Sequence, residues 1–281
     1  MNRQPHTIGY PADGPYTWHR AALAPLLAGP TANVPEATDD AFVEFLLDQG
    51  LGPLWDHAIS EHDFSPALSL QAKERLHNSR LSATAHYMLQ RNSLLAIKAI
   101  LGGAEVPHLV FKGCHTRELL FSEPALRPAQ DIDVLIPNEQ KAQAIKAFVD
   151  DGYTFHGNAD NISHECSLTR GKTHIDLHWD IFRPGRTRTP MAARILDTRK
   201  DYGSHWGPNE TAALFLQLIH PVFTKYLSTP HASLVRQLDL AYLLTKTEVN
   251  WGKILNWLEL AGMKTAAWLS LTWLEMLTDI A

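Results

Sequence analysis

Residues 131–137 have the sequence Asp-Ile-Asp-Val-Leu-Ile-Pro, and this stretch decides the fold. Polar and apolar residues alternate with a period of two, which predicts a β-strand that ends at Pro137. Alternate side chains of a strand point to opposite faces, so one face carries Asp131, Asp133 and Leu135 and the other carries Ile132, Val134 and Ile136. The pattern therefore predicts a strand that is buried on one face and carries two carboxylates on the other.

The two carboxylates predict a cation site. Like charges about 7 Å apart on one strand face repel each other, and without a cation one of them is driven toward protonation. A divalent ion removes this conflict, and hard oxygen ligands suit Mg²⁺ or Mn²⁺. For an Asp-x-Asp pair taken alone, however, two solvated carboxylates at a strand end are the more common explanation.

A second alternating run supplies a third carboxylate. Residues 173–180, Thr-His-Ile-Asp-Leu-His-Trp-Asp, predict a strand whose polar face carries Asp176. In phosphoryl or nucleotidyl transfer a third carboxylate on a neighbouring strand shares the metal and orients or deprotonates the attacking hydroxyl. The alternative is an exposed hairpin face that is rich in polar residues.

The same strand also allows a zinc site. His174, Asp176 and His178 occupy positions i, i+2 and i+4 of one strand face, and imidazole and carboxylate groups are ordinary zinc ligands. His164 or Cys166 would then complete the coordination. This alternative stays open at the level of sequence.

Residues 109–120 predict a strand that runs into a glycine and then a helix. Gly113 in such a turn allows phosphate oxygens to approach backbone N–H groups at the positive end of the helix. Lys112 and Arg117 add positive charge nearby. A glycine between a strand and a helix is also common for plain turn reasons.

The rest of the chain predicts an α+β fold: a mixed sheet with helices, flanked by helical regions on both sides. Alternating runs and one helix, at residues 138–152, fall between Val106 and Asp180, with Arg170-Gly171-Lys172 as a hairpin turn. Helical periodicity precedes and follows this part. We divide the chain into an irregular lead-in (1–38), an N-terminal helical region (39–103), a catalytic core (104–186) and a C-terminal helical domain (187–281).

Composition excludes several classes of protein. Of 281 residues 45% are hydrophobic and 20% charged, as in an ordinary globular protein, and the formal net charge of −5 gives no broad cationic field for duplex nucleic acid. Only Cys114 and Cys166 are present, so a disulfide framework is not expected. The sequence shows no secretory signal and no apolar run long enough to span a membrane, and we expect a cytoplasmic protein.

The order of these motifs resembles the nucleotidyltransferase pattern of the DNA polymerase β-like superfamily, and more narrowly a family of bacterial uncharacterised nucleotidyltransferases. The resemblance covers about residues 40–280 and includes HLVFKGCHTRELLF, LRPAQDIDVLIP and HIDLHWDIF. It implies that Gly113 approaches the phosphates of a nucleoside triphosphate. It also implies that Asp131 and Asp133 hold two metal ions and that Asp176 completes the site.

Four further residues are assigned roles by this resemblance. We expect Lys112 and Arg127 to contact phosphate or carboxylate groups. Cys114 stands where the superfamily often has serine, so backbone amides would replace a missing hydroxyl. His178 would flank the nucleotide or the acceptor, although a hydrogen-bonded core histidine is the alternative.

The expected activity is transfer of NMP from an NTP to an unidentified acceptor with release of pyrophosphate, with Mg²⁺ or Mn²⁺ as cofactor. The acceptor could be a small molecule, a protein or an RNA end. One alternative is a glycosyltransferase whose Asp-x-Asp pair binds Mn²⁺ on a nucleotide-sugar. Another is a non-catalytic binding or regulatory module, such as an antitoxin-like partner, which is suggested by Cys114 and by a chain that ends earlier than the family pattern.

Overall fold

A five-stranded mixed sheet forms the centre of the protein. The computed structural model describes residues 16–28, 40–61, 64, 66–157, 163–223, 234–278 and 280. Its strands are β1 (Leu109–Phe111), β2 (Ile132–Leu135), β3 (Thr154–His156), β4 (Glu165–Arg170) and β5 (Thr173–His178). They are arranged in the order β1-β2-β5-β4-β3. Two further strands, β6 (Lys200–Asp201) and β7 (Trp206–Gly207), form a separate small ribbon.

The central pair of strands, β2 and β5, is the parallel pair, and the other neighbours in the sheet are antiparallel. In this pair Asp133 lies opposite Asp176. The β4–β5 hairpin closes at Gly171 and Lys172, since Arg170 pairs with Thr173. Gly171 has a φ of +58°, a conformation that glycine adopts without steric cost. The predicted hairpin is therefore confirmed.

The described part of the chain contains eleven α-helices. They are α1 (Thr17–Leu27), α2 (Asp40–Asp48), α3 (Gly52–Glu61), α4 (Leu70–Gly103), α5 (Gly113–Leu120), α6 (Lys141–Asp150), α7 (Ala192–Leu196), α8 (Glu210–Pro221), α9 (Leu234–Lys246), α10 (Trp251–Ala261) and α11 (Lys264–Leu277). Helix α4 begins where the Ser69 side chain accepts a hydrogen bond from the Ala72 N–H. Helix α10 is capped at both ends, because Asn250 accepts from Lys253 N–H and Gly262 is left-handed.

The two faces of the sheet pack against different helices. Apolar residues of β2 and β5, including Ile132, Val134 and Leu177, form one core with α4 and α6. On the other face Leu135 and Phe111 join a second core that is built largely from α8, α10 and α11. The apolar positions of residues 131–137 thus lie on the two sides as their alternation predicts. The polar positions between them open toward the space between sheet and C-terminal helices.

The α+β class and the helical flanks are confirmed. The run AALAPLLA within the lead-in forms part of α1, and most of the remaining lead-in lies outside the described residues. The sequence did not predict β3, α7 or the β6–β7 ribbon. The domain boundaries at residues 38, 103 and 186 stay a prediction. Among the described residues, no helix has both the length and the apolar content needed to cross a membrane.

Candidate active site

Three carboxylates converge on one face of the two central strands of the sheet. Asp131 immediately precedes β2, Asp133 lies within it, and Asp176 lies opposite Asp133 on the parallel strand β5. One carboxylate oxygen from each lies within 4.8 Å of the others. The predicted convergence follows from the parallel register, since opposed residues of neighbouring strands point to the same face. This set of oxygens is chemically suited to a hard divalent cation.

The pKa values of Asp131 and Asp133 are shifted in opposite directions. Burial raises the pKa of Asp131, and the neighbouring charge of Asp133 raises it further. Asp133 is also buried, which raises its pKa, but the Lys112 ammonium and the His178 imidazole outweigh burial and lower the pKa to about 2. Asp133 is therefore ionised and compensated, whereas Asp131 lacks sufficient compensation. The predicted conflict between the two carboxylates is present in the fold.

Lys112 compensates Asp133 from the turn that precedes α5. Its Nζ lies 2.5 Å from Asp133 Oδ1. The Lys112 backbone has a φ of +56°, which is uncommon for a residue with a Cβ and costs about 1–3 kcal/mol. Such strained residues cluster at functional sites, where the surrounding structure holds them. The turn thus places the ammonium group over the carboxylates.

Gly113 begins α5 beside a buried arginine. The Arg127 guanidinium donates to both carboxylate oxygens of Asp239 on α9, at 3.3 and 2.5 Å, and to the Pro128 carbonyl at 2.6 Å. The side chains of Arg127 and Asp239 are 7% and 1% exposed. The carboxylate that Arg127 contacts in the fold is that of Asp239, and a contact of Arg127 with a ligand stays a prediction. This ion pair joins the surroundings of the Gly113 turn to helix α9.

Gly113→Ala is expected to destabilise the fold by about 1–3 kcal/mol. A Cβ at this position would lie 2.6 Å from Arg127 Nη1 and 3.2 Å from the Ala129 Cβ. Arg127 cannot move aside freely because it is held by Asp239. Chemical denaturation measures the loss.

The matched control for this substitution is Gly102→Ala, which meets nothing within 4 Å near the end of helix α4. It should leave stability unchanged or raise it by up to about 1 kcal/mol. Equal effects of the two substitutions would contradict the packing argument.

The side chains of Cys114 and His178 are buried beside the carboxylates and do not line the adjoining cleft. Cys114 is 1% exposed, and its thiol donates to the Asp131 backbone carbonyl at 3.2 Å. Burial raises the pKa of this thiol to about 12. His178 is 1% exposed and its Nε2 lies 3.0 Å from Asp133 Oδ1. Cys114 thus contacts the backbone of Asp131 and His178 contacts the carboxylate of Asp133. Because the Cys114 thiol is buried, only the backbone amide of this residue is left for a ligand.

The histidines of β5 do not form the zinc set considered from the sequence. His174 has a side chain that is 48% exposed, and its Nε2 lies 3.6 Å from Asp176 Oδ1. Cys166 lies in the core that packs on α4 and α6. The group of possible ligands that does converge is His164, Glu165 and His178. Burial lowers the pKa of His164 to about 4, and the nearby positive charges of Lys112 and Arg183 lower it further.

An open cleft of about 1090 Å³ extends from the three carboxylates. Its described lining combines β-sheet residues with parts of α5, α8 and α9. The acidic side chains that line it are Asp48, Asp131, Asp133, Glu165 and Asp176, and the basic ones are Lys112, Arg117, Arg127, Arg183, Arg186 and Arg236. The cleft is large enough for more than a metal ion and carries charges of both signs.

Comparison with protein families places the chain in a known family. A family described as uncharacterised nucleotidyltransferase matches residues 35–279. The chain belongs to this family. In this nucleotidyltransferase the match includes the strands that carry all three carboxylates, the turn at Gly113 and the helices that line the cleft.

Two solved structures of the antibiotic-resistance factor ANT(2'')-Ia are similar in fold. Its solution structure has a TM-score of 0.42 and 10% identity, over 66% of this chain and 95% of that one. Its crystal structure in complex with adenylyl-2''-tobramycin has a TM-score of 0.38 and 11% identity, over 56% of this chain and 98% of that one. No curated protein matches the chain. Both likenesses are weak, so the assignment of this nucleotidyltransferase rests on the family match.

Sequence reasoning did not assign two contacts that shape the site. The first is the partnership of Arg127 with Asp239, which are far apart in sequence and share no local pattern. The second is the position of Glu165 opposite His178 in the β4–β5 ladder. The hairpin register, counted outward from Gly171, is the one signal in the sequence that predicts this second contact.

Proposed function

We propose that the chain transfers a nucleoside monophosphate from a nucleoside triphosphate to an acceptor, releases pyrophosphate, and depends on Mg²⁺ or Mn²⁺. The observation that carries this proposal is the convergence of Asp131, Asp133 and Asp176 in the cleft of a nucleotidyltransferase family member. Family membership supports the reaction class. The carboxylate geometry supports the metal dependence.

The residues present fit a divalent cation. Three carboxylate oxygens lie within 4.8 Å of one another. Burial raises the pKa of Asp131, the charge of Asp133 raises it further, and a cation would favour the ionised form against both effects. When bound, two divalent ions would polarise the reacting phosphate, activate the attacking hydroxyl and neutralise the leaving pyrophosphate. Asp131 and Asp133 are the ligands expected to hold both ions, and Asp176 completes the set.

The turn at Lys112 and Gly113 is proposed to bind the triphosphate. The first N–H groups of an α-helix have no carbonyl partner within the helix, so Gly113 and Cys114 offer backbone donors at the start of α5. The Lys112 ammonium lies beside these donors on Asp133. A cation on Asp133 would take over the charge balance of that carboxylate, which leaves the ammonium for phosphate.

Asp176 is proposed to receive the proton of the attacking group. Its side chain is more exposed than that of Asp133, at 22% against 3%. Its Oδ1 accepts a hydrogen bond from the Ser167 hydroxyl at 2.8 Å, which fixes its orientation. A base must reach the attacking hydroxyl, and Asp176 lies at the open side of the cluster where an acceptor can approach.

Asp131→Asn is expected to raise the melting temperature of the metal-free protein at neutral pH. Because the pKa of Asp131 is raised in the fold, ionisation of this carboxylate costs stability as the pH rises through the folded pKa. Asparagine removes that cost, and the difference from wild type should shrink as the pH falls below the pKa of Asp131. Scanning calorimetry at several pH values measures it.

Addition of Mg²⁺ and NTP should reverse this order of stability. Ligand at about 100 times its dissociation constant stabilises by about 2.7 kcal/mol, and the wild type should gain this shift while Asp131→Asn should not. A metal-free variant that melts below wild type would contradict the charge argument. Equal shifts with Mg²⁺ and NTP would contradict the ligand role.

The reaction class is tested with NTPs labelled in the α- or the γ-phosphate. The protein is incubated with each of the four NTPs, Mg²⁺ and separate small-molecule, protein and RNA fractions as acceptors. The proposal predicts that the α-label moves to one fraction and that the γ-label appears in pyrophosphate. Transfer of the γ-label would instead show a kinase, and release of the label as free phosphate would show a phosphohydrolase; each result would contradict the proposal.

A further inference from the structure

A second group of possible ligands lies beside the carboxylate cluster, on the same face of the sheet. His164, Glu165 and His178 each place one ligand atom within 4.8 Å of the others. Glu165 and His178 are opposed residues of the β4–β5 ladder, so their side chains share one face of the sheet. His164 immediately precedes β4, where its backbone carbonyl accepts from the Trp179 N–H at 2.9 Å. Two strands and their backbone hydrogen bonds therefore hold this group together.

The separations within the group match those of ligands that share one zinc ion. Zinc bonds of about 2.0–2.1 Å in a tetrahedral arrangement place neighbouring ligand atoms about 3.3 Å apart. His178 Nδ1 lies 3.1 Å from Glu165 Oε2, and His164 Nε2 lies 3.5 Å from the same oxygen. Two imidazoles and one carboxylate are the ligand set of many zinc sites that keep a position open.

His178 has an unused nitrogen at the centre of the group. Its Nδ1 is buried and makes no hydrogen bond with any described residue, although Glu165 Oε2 lies 3.1 Å away. A buried imidazole nitrogen without a hydrogen bond is costly, and buried polar groups in native proteins are nearly always paired. Two ligand atoms of one metal ion lie this close together without a hydrogen bond between them, as His178 Nδ1 and Glu165 Oε2 do.

The other nitrogen of His178 contacts the carboxylate cluster. Its Nε2 lies 3.0 Å from Asp133 Oδ1, and the tautomer with the hydrogen on Nε2 donates to this carboxylate oxygen. This tautomer leaves the lone pair on Nδ1, which is the form that binds a metal. Histidine ligands of metals commonly donate their other N–H to a carboxylate, which fixes the ring and its tautomer.

We propose that His164, Glu165 and His178 bind one Zn²⁺ ion, separate from the Mg²⁺ site, and that this ion fixes His178 as the hydrogen-bond donor to Asp133. Zinc suits the group because imidazole nitrogen ligands favour Zn²⁺ over Mg²⁺, which prefers oxygen. The ion would thus orient the Asp133 carboxylate through the hydrogen bond from His178. The proposal does not require that nucleotidyl transfer occur.

The test measures bound zinc in the full chain, with Zn²⁺ alone as the probe. Protein is loaded with Zn²⁺, dialysed against excess Mg²⁺, and its metal content is measured by mass spectrometry. Wild type should retain one Zn²⁺ per chain. His164→Ala and Glu165→Gln should bind Zn²⁺ at least tenfold more weakly in a competition with a chromogenic chelator, and Glu165→Gln is a mild change because that side chain is 40% exposed.

Two controls separate the zinc group from its neighbours. His174→Ala removes an exposed histidine of the same strand, and Asp176→Asn alters the carboxylate cluster; both should bind Zn²⁺ like wild type. Replacement by Co²⁺ should give the intense visible bands of a tetrahedral ion with nitrogen ligands in wild type and not in His164→Ala. Failure of wild type to retain Zn²⁺, wild-type affinity in both ligand variants, or loss of Zn²⁺ in Asp176→Asn would overturn the proposal.

Discussion

Asp176→Asn is expected to lower NMP transfer by about 1,000-fold while the protein stays folded. The substitution removes one carboxylate that shares the metal ions and receives the proton, and such electrostatic contributions are worth several kcal/mol, or about tenfold for each 1.36 kcal/mol. Because Asp176 is partly exposed and its described contacts are with Ser167 and His174, asparagine keeps the shape and most of the packing. Initial rates with α-labelled NTP and the identified acceptor measure the loss.

The matched control is Asp150→Asn, which removes the same charge from an exposed helix position. It should keep wild-type activity. The comparison also separates two enzyme classes, because a glycosyltransferase with an Asp-x-Asp metal site does not need a third carboxylate on β5. Full activity of Asp176→Asn with intact metal and nucleotide binding would contradict the nucleotidyltransferase mechanism.

Arg127→Met is expected to destabilise the fold by about 3–5 kcal/mol, because it leaves the buried Asp239 carboxylate without its partner. The variant also removes the donor to the Pro128 carbonyl. A loss of this size lowers the melting temperature by about 10 °C. Thermal and chemical unfolding of the metal-free protein measure the effect directly.

The double variant Arg127→Met with Asp239→Leu identifies the cause. Replacing both members of a buried ion pair with apolar residues is often neutral or stabilising, so the double variant should recover most of the lost stability. It also tests the role of Arg127 in the reaction, since an arginine that only joins two parts of the fold can be replaced in this way without a large loss of turnover. A double variant no more stable than Arg127→Met would contradict the argument.

Local patterns in the sequence predict most of the sheet and its carboxylates. The strand that carries Asp133 and the hairpin strand that carries Asp176 both alternate in sequence, although the fold buries all four residues of β2 and leaves only β5 with a partly exposed face. Strand β3 could not be found in this way, because its three residues are all exposed and show no contrast between faces. The first residue of helix α11 could not be located from the sequence either. The residue before this helix is Met263, whose side chain cannot accept the capping hydrogen bond that marks a helix start.

The contacts that tune the site depend on tertiary structure. The ion pair of Arg127 with Asp239 joins residues 112 positions apart, and the buried Nδ1 of His178 is defined by the packing of two strands. The sequence leaves His178 as either a residue that flanks a ligand or a hydrogen-bonded core histidine, and the fold buries it beside Asp133. Residue types and spacing thus locate the carboxylates, while burial and long-range pairing decide which neighbours support them.

The most direct test of the central claim is calorimetric titration of the protein with NTP in the presence and absence of Mg²⁺. A pair of variants, Asp131→Asn and Asp133→Asn, is titrated beside wild type, with Asp150→Asn as control. Wild type and the control should bind an NTP with Mg²⁺ and far more weakly with a chelator, and both cluster variants should lose the Mg²⁺-dependent part. Absence of Mg²⁺-dependent NTP binding in wild type would contradict the account and favour a non-catalytic module.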